Sequence, residues 1–154
     1  MPVTFSLDTR IKGTPFEHYW EHCVGSCHAI MGTRQDWRNQ LSKCHRELGF
    51  QFVRFHGLLN DEMSVVKRDQ DGRLRYSFFN IDLIFDFLLS IGMKPFIELG
   101  FMPEALASGS TTCFHYKGNI TPPRGLRSMV RLDQKTHPTP RRPLRTARST
   151  FVVL

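Results

Sequence analysis

The sequence predicts an α/β fold on a parallel sheet, and three observations carry that prediction. Strand-like and helix-like segments alternate as strand–helix–strand–helix–strand. The intervening helices run about three turns, long enough for right-handed crossovers between parallel strands. The third strand is continuously apolar, which suits a parallel strand covered on both faces.

Each element has its own signal. HCVGS, with residues 23–26 at its centre, is short, apolar and interrupted by Gly25, and reads as a first strand running into a loop. In residues 36–48, Trp37, Leu41, Cys44 and Leu48 recur at the spacing of one helix face. Asp36 is placed to cap that helix and Gly49 to stop it. FQFVRFHG, residues 50–57, alternates and is rich in aromatic and β-branched side chains, so it predicts a second strand. Residues 60–75 are polar around an Asp71-Gly72 turn signal and predict a long loop or a small hairpin. A second helix follows over 81–91, with Asn80 as its cap, Ile81, Ile84, Phe85, Leu88 and Ile91 as its buried face, and Gly92 as its end. KPFIELGF, residues 94–101, is the third strand.

Composition narrows the function classes. With 154 residues, 40% hydrophobic and 12% aromatic, the chain can build a core. It has no apolar run long enough to span a bilayer. The segment MPVTFSLDTRIKGTP lacks the apolar stretch of a secretory signal, which predicts a cytoplasmic location. In that compartment Cys23, Cys27, Cys44 and Cys113 are expected as thiols. The net charge of +7 suggests a nucleic-acid partner only until it is located. Residues 124–154 hold eight Lys and Arg against the single acid Asp133, and so carry the whole excess. That stretch has one aromatic residue, Phe151, and lacks the aromatic interleaving of a nucleic-acid module. No specific nucleic acid and no membrane are therefore expected as partners.

The alternation by itself does not choose between a barrel and an open doubly wound sheet. A dinucleotide fold would show G-x-G-x-x-G after the first strand, whereas VGSCHAIMG offers only Gly25 and Gly32. Longer strings say more. WEHCVGSCHA (20–29), RQDWRNQLSKCHRELGFQFVRFHGLLNDEM (34–63), YSFFNIDLIFDFLLSIGMKPFIELGFMPEALASG (76–109) and FHYKGNITPP (114–123) resemble glycoside hydrolase family 39. The likeness runs from about Thr14 to Pro123 and is nearest the xylan 1,4-β-xylosidases, with α-L-iduronidases more distant. It implies a partial (β/α)8 TIM barrel, the first three βα units at 14–123, followed by an irregular or disordered basic tail at 124–154. It also implies a carbohydrate substrate, hydrolysis with retention and no cofactor.

Retention needs two carboxyl groups about 5–5.5 Å apart across the scissile bond. The family's acid/base Glu lies in an Asn-Glu-Pro motif after the fourth strand, and its nucleophile later still. The six glutamates here, Glu17, Glu21, Glu47, Glu62, Glu98 and Glu104, all fall in the first three units, and no Asn-Glu-Pro occurs. The resemblance therefore implies no catalytic residue in this chain, and an inactive part of a glycosidase is expected. The alternative is a non-enzymatic chain with a residual sugar- or partner-binding surface. After Thr-Pro-Pro the family continues with a basic residue, Asp-Tyr and soon a Trp, whereas RGLRSMVRLDQK stands here. Met129 is ATG and Val130 begins with G, so the frame one base later reads Trp; the preceding codons permit Asp-Tyr-Asp-Gln. A slipped frame after residue 124 is the expected origin of the tail.

By the same resemblance the substrate-binding candidates are His56, Glu98 and Phe114. His56 ends the second strand, the end where barrel sites lie. Its other reading is a histidine satisfied by local backbone. Glu98 and Glu104 flank the end of the third strand and take supporting roles, because the family's catalytic pair lies elsewhere. Phe114, His115 and Tyr116 have two readings, core packing and a platform for a sugar face. No metal site is expected. His22, Cys23, Cys27 and His28 include zinc-type ligands, but HC-x3-CH is not a structural zinc spacing. A Cys-His nucleophile there would lack an orienting third group. Three strands of a closed sheet would leave two unpaired edges, so self-association is expected.

Overall fold

The computed structural model describes residues 2–125. Almost all of the tail expected at 124–154 lies outside these residues.

Three parallel strands form the central sheet: β1 (Cys23–His28), β2 (Phe52–His56) and, after a hairpin, β5 (Lys94–Phe96), in the order β1-β2-β5. The hairpin strands are β3 (Val66–Arg68) and β4 (Leu74–Tyr76), which close around the Asp71-Gly72 turn with Gly72 at φ 76°. Helix α1 (Gln35–Leu48) links β1 to β2, and helix α2 (Phe79–Ser90) precedes β5. A second, two-residue hairpin pairs β6 (Thr112–Cys113) with β7 (Gly118–Asn119).

Helix α1 starts two residues before the position expected. Arg34 occupies the cap, and Asp36 sits inside the first turn. The Arg34 guanidinium donates to both Asp36 oxygens, at 3.0 and 2.8 Å, and the Trp37 amide donates to Asp36 at 2.9 Å. An acid there still faces the positive end of the helix. Gly49 terminates α1 at φ 76°, with its amide donating to the His45 carbonyl. Asn80 does not cap α2 either. The helix begins at Phe79, and the Asn80 amide donates instead to the Met63 carbonyl at 3.2 Å, tying α2 to the loop before β3. Gly92, just beyond α2, is at φ 83°, as a helix stop requires.

The third strand is shorter than the apolar run 94–101 suggests. Its ladder to β2 ends at Phe96, with Pro95 contributing no amide hydrogen. The chain then turns toward the loop after β2, where the Leu59 amide donates to the Gly100 carbonyl at 2.9 Å. Among the described residues no helix follows β5; irregular chain and the β6–β7 hairpin come instead.

The core lies between one sheet face and the helices. Val53 and Phe55 of β2 cluster with Leu41 of α1, with Ile81, Ile84 and Leu88 of α2, and with Leu58, Leu59 and Met93. Alternation along β2 puts Phe52, Arg54 and His56 on the opposite, half-exposed face. Trp37 anchors α1 to the sheet by donating its indole N–H to Ser26 Oγ at 2.7 Å. No helix among the described residues is long and apolar enough to cross a membrane.

Candidate sugar-contacting site

The site is assembled at the C-terminal ends of the parallel strands. His28 and His56 are register partners at the ends of β1 and β2. A bulge between Gly25 and His28 brings them level, since β1 spends one residue more than β2 over that interval. The bulge holds Cys27 at φ 20°, on the border of the region that favours glycine.

Each histidine meets a carboxylate from another segment. His56 Nδ1 lies 2.7 Å from Glu98 Oε2, and His28 Nδ1 lies 2.6 Å from Glu62 Oε1. Arg54, two residues before His56 and on the same face, forms an ion pair with Glu98 Oε1. Both Glu98 oxygens are therefore occupied by cation or imidazole. Such a carboxylate orients its neighbours and is badly placed to exchange a proton with a glycosidic oxygen. Glu104 sits apart: its backbone amide reaches the Asp61 carboxylate at 3.2 Å. Burial pushes the Asp61 carboxyl above its usual range, with the nearby Glu104 charge adding to the rise.

The hairpin tip lies over the two histidines. Phe114 stacks on His56 with ring centres 6.1 Å apart and planes at 19°, and on Tyr116 at 5.3 Å and 15°. Tyr116 stacks in turn on His28 at 4.4 Å and 14°. His115 meets Tyr116 edge-on at 5.0 Å and 81°. The two sequence readings of 114–116 thus meet here: the rings pack on one another, yet Phe114 remains 59% exposed. Burial raises the Tyr116 hydroxyl above its ordinary value, as do the nearby Cys113, Cys27, Glu62 and Glu98. Beside this stack lies a groove of about 680 Å³ whose polar lining includes Asn60, Asp61, Glu62, Glu104, Tyr116 and Asn119.

His56, Glu98 and Phe114, singled out from sequence, are thus brought together. Sequence reasoning missed Arg54 and the His28–Glu62 pair. Arg54 had a usable signal, two positions before His56 on one strand. Glu62 had none, since its partner is 34 residues away. The zinc-type residues do not assemble: the His22 ring packs on Phe52 at 5.0 Å, and His28 turns to Glu62. Among the described residues no three His, Cys, Asp or Glu side chains converge on a common point. All four cysteines are free, and burial pushes the Cys23 thiol up.

Comparison with known proteins settles the ancestry. The family model for glycosyl hydrolases family 39 matches residues 3–134. The chain belongs to glycoside hydrolase family 39. It is 70% identical over 124 residues to a beta-xylosidase of Caldicellulosiruptor saccharolyticus, covering 80% of this chain and 25% of that protein. A beta-xylosidase of Geobacillus stearothermophilus is 39% identical over 112 residues, covering 71% of this chain and 22% of that one. The crystal structure of a monomeric beta-xylosidase from Caulobacter crescentus CB15 superposes with a TM-score of 0.68 at 34% identity, covering 85% of this chain and 28% of that chain. This family 39 chain thus spans about a quarter of the length of the relatives it matches. Its α/β arrangement agrees with that of the solved family member.

Proposed function

We propose that this chain is the N-terminal part of a retaining glycosidase barrel that acts, when whole, on β-xylosides or related glycosides. Its three parallel strands are the first three of the barrel. The chain supplies one wall of the sugar site and none of the chemistry. The observation that carries this reading is the convergence of His56, Glu98 and Phe114 at the C-terminal strand ends, the face where barrel enzymes bind substrate. An imidazole held by a carboxylate is pre-organised to exchange hydrogen bonds with sugar hydroxyls, and the exposed Phe114 adds apolar surface beside it. The relatives' printed name, beta-xylosidase, supports the substrate class.

Hydrolysis with retention requires a free acid/base and a nucleophile about 5–5.5 Å apart. Glu98 and Glu62 are each engaged with a histidine, and Glu98 also with Arg54. The reading therefore predicts sugar binding without turnover, and a carbohydrate as the natural partner. It assigns the chain to the cytoplasm, with a barrel part at 14–123 and a basic segment at 124–154 that recognises no nucleic acid.

The family match reaches beyond Pro123 to residue 134, across the point where the frame is proposed to slip. Resequencing the gene through the codons for Pro122 to Lys135 and several hundred bases beyond tests that point. A gained or lost base, with the restored frame running on to Asn-Glu-Pro, is the expected result. An intact present frame would overturn the slipped-frame account and leave the binding-without-turnover reading to stand alone.

A further inference from the structure

The four rings at the strand ends form one ladder, in the order His28, Tyr116, Phe114, His56, with successive planes 14°, 15° and 19° apart. Both ends are histidines whose Nδ1 is fixed by a carboxylate, and both histidines stand at matched register on adjacent strands. The hairpin that supplies the two middle rings is weakly built. Its ladder has two pairs, Thr112↔Asn119 and Cys113↔Gly118, extended by the Ile120 amide donating to the Thr111 carbonyl at 3.0 Å, and Phe114 and Lys117 both adopt left-handed backbone, at φ 60° and 53°. Its own ladder does not hold the tip in one place, since an isolated two-stranded hairpin is marginal in water. Of the two terminal rings, His56 belongs to the proposed sugar surface, with its side chain 37% exposed. His28 is only 10% exposed and lies beneath the tip.

We propose that His28 is a positioning residue for the sugar site: oriented by Glu62, its ring stacks on Tyr116 and through it holds Phe114 against His56. This rests on the sugar-wall reading for its purpose, while the positioning itself stands on geometry alone. It assigns to the end of β1 a role that neither the zinc-type nor the nucleophile reading of the HC-x3-CH motif provides. The geometry also requires Gly118, where any Cβ would lie 2.5 Å from the Phe101 ring, so the hairpin is seated from below as well as stacked from the side.

Cysteine labelling tests the proposal in the full chain at low concentration. Cys113, half-buried in β6 with its thiol directed at the Gly118 carbonyl, reports the hairpin, and Cys44 in α1 reports the rest of the fold. Iodoacetamide labelling is followed at each site by peptide mass spectrometry. His28→Ala is expected to speed Cys113 labelling about fivefold or more with Cys44 unchanged, as local opening without global unfolding requires. His28→Phe, which keeps a ring but loses the Glu62 bond that orients it, is expected to restore only part of the protection. Unchanged Cys113 labelling in His28→Ala overturns the proposal, and so does an equal rise at Cys44. Should His28→Ala not fold, Glu62→Ala, which removes the group facing His28 Nδ1, serves in its place, with a Cys113-specific rise expected and no change overturning the proposal. Xylobiose is added to the unsubstituted chain as a separate arm. Slower Cys113 labelling supports the sugar link, whereas its absence, with the His28→Ala effect intact, strikes the sugar reading and leaves the positioning standing.

Discussion

Glu98 illustrates how a single carboxylate is committed by its surroundings. It lies between Arg54 and His56, with its side chain 17% exposed, and replacing it by Gln leaves a guanidinium facing a neutral amide. Hydrogen bonds to charged groups contribute about 1.5–3 kcal/mol, so Glu98→Gln is expected to lower the unfolding free energy by about that amount in urea titrations. Asp36 makes a pH-dependent contribution of defined sign. The Arg34 guanidinium, then the Trp37 amide, hold its carboxyl down at about 2. A carboxyl depressed below its unfolded value stabilises the fold above that value, about 3.9, and loses the contribution as pH falls toward 2. Asp36→Asn is therefore expected to flatten the acid limb of a stability-versus-pH curve between about pH 4 and 2. The site was legible at this scale where one side chain announces its place, as His56 does by ending a strand. Arg54 could have been read from its place two residues before His56, but Glu62 could not, because the His28–Glu62 pair is made by a chain reversal that leaves no spacing in the sequence.

At the scale of elements, periodicity decided what could be read. Helices α1 and α2 were legible because each repeats its apolar face over three turns, and their glycine stops agree with left-handed backbone at Gly49 and Gly92. Their starts were misjudged because Asp36 and Asn80 are polar groups with better offers, from Arg34 and from the Met63 carbonyl. The apolar run after Lys94 reads as one strand, but its second half is a half-buried loop hydrogen-bonded to Leu59 and Asn60. The β6–β7 hairpin carries no signal, since two-residue strands have no period. Two substitutions test these placements by chemical denaturation. Ile84→Ala removes a fully buried side chain against which Gly32 packs, and is expected to cost about 2–5 kcal/mol. Gly118→Ala forces a methyl group into the Phe101 ring and is expected to cost about 1–3 kcal/mol, with the loss centred on the hairpin.

For the molecule as a whole, the sheet order β1-β2-β5 leaves β1 and β5 each with one neighbour among the described strands. Apolar side chains are also uncovered, among them Val3, Phe5, Leu7, Ile11 and Phe16 near the N-terminus and Phe79 on α2. Unpaired edges and contiguous apolar surface favour association. Light scattering is expected to show mass rising with concentration, and unfolding is expected to be broad. A monodisperse monomer with a sharp, reversible transition would contradict this. The fold class was legible from the strand–helix alternation, whereas the choice of barrel came from longer family-specific strings such as RFHGLL and FIELGFMPEALASG.

The central claim, a sugar wall without its chemistry, meets its most direct test in one experiment: xylobiose is titrated with the chain while the sugar's proton spectrum is recorded. The account predicts saturation transfer from protein to xylobiose that His56→Ala abolishes, with the anomeric signals of the disaccharide unchanged over days. Absence of transfer from the unsubstituted chain would contradict the wall. Accumulation of free xylose would contradict the missing chemistry, and its loss in Glu98→Gln would make Glu98 a catalytic carboxylate after all.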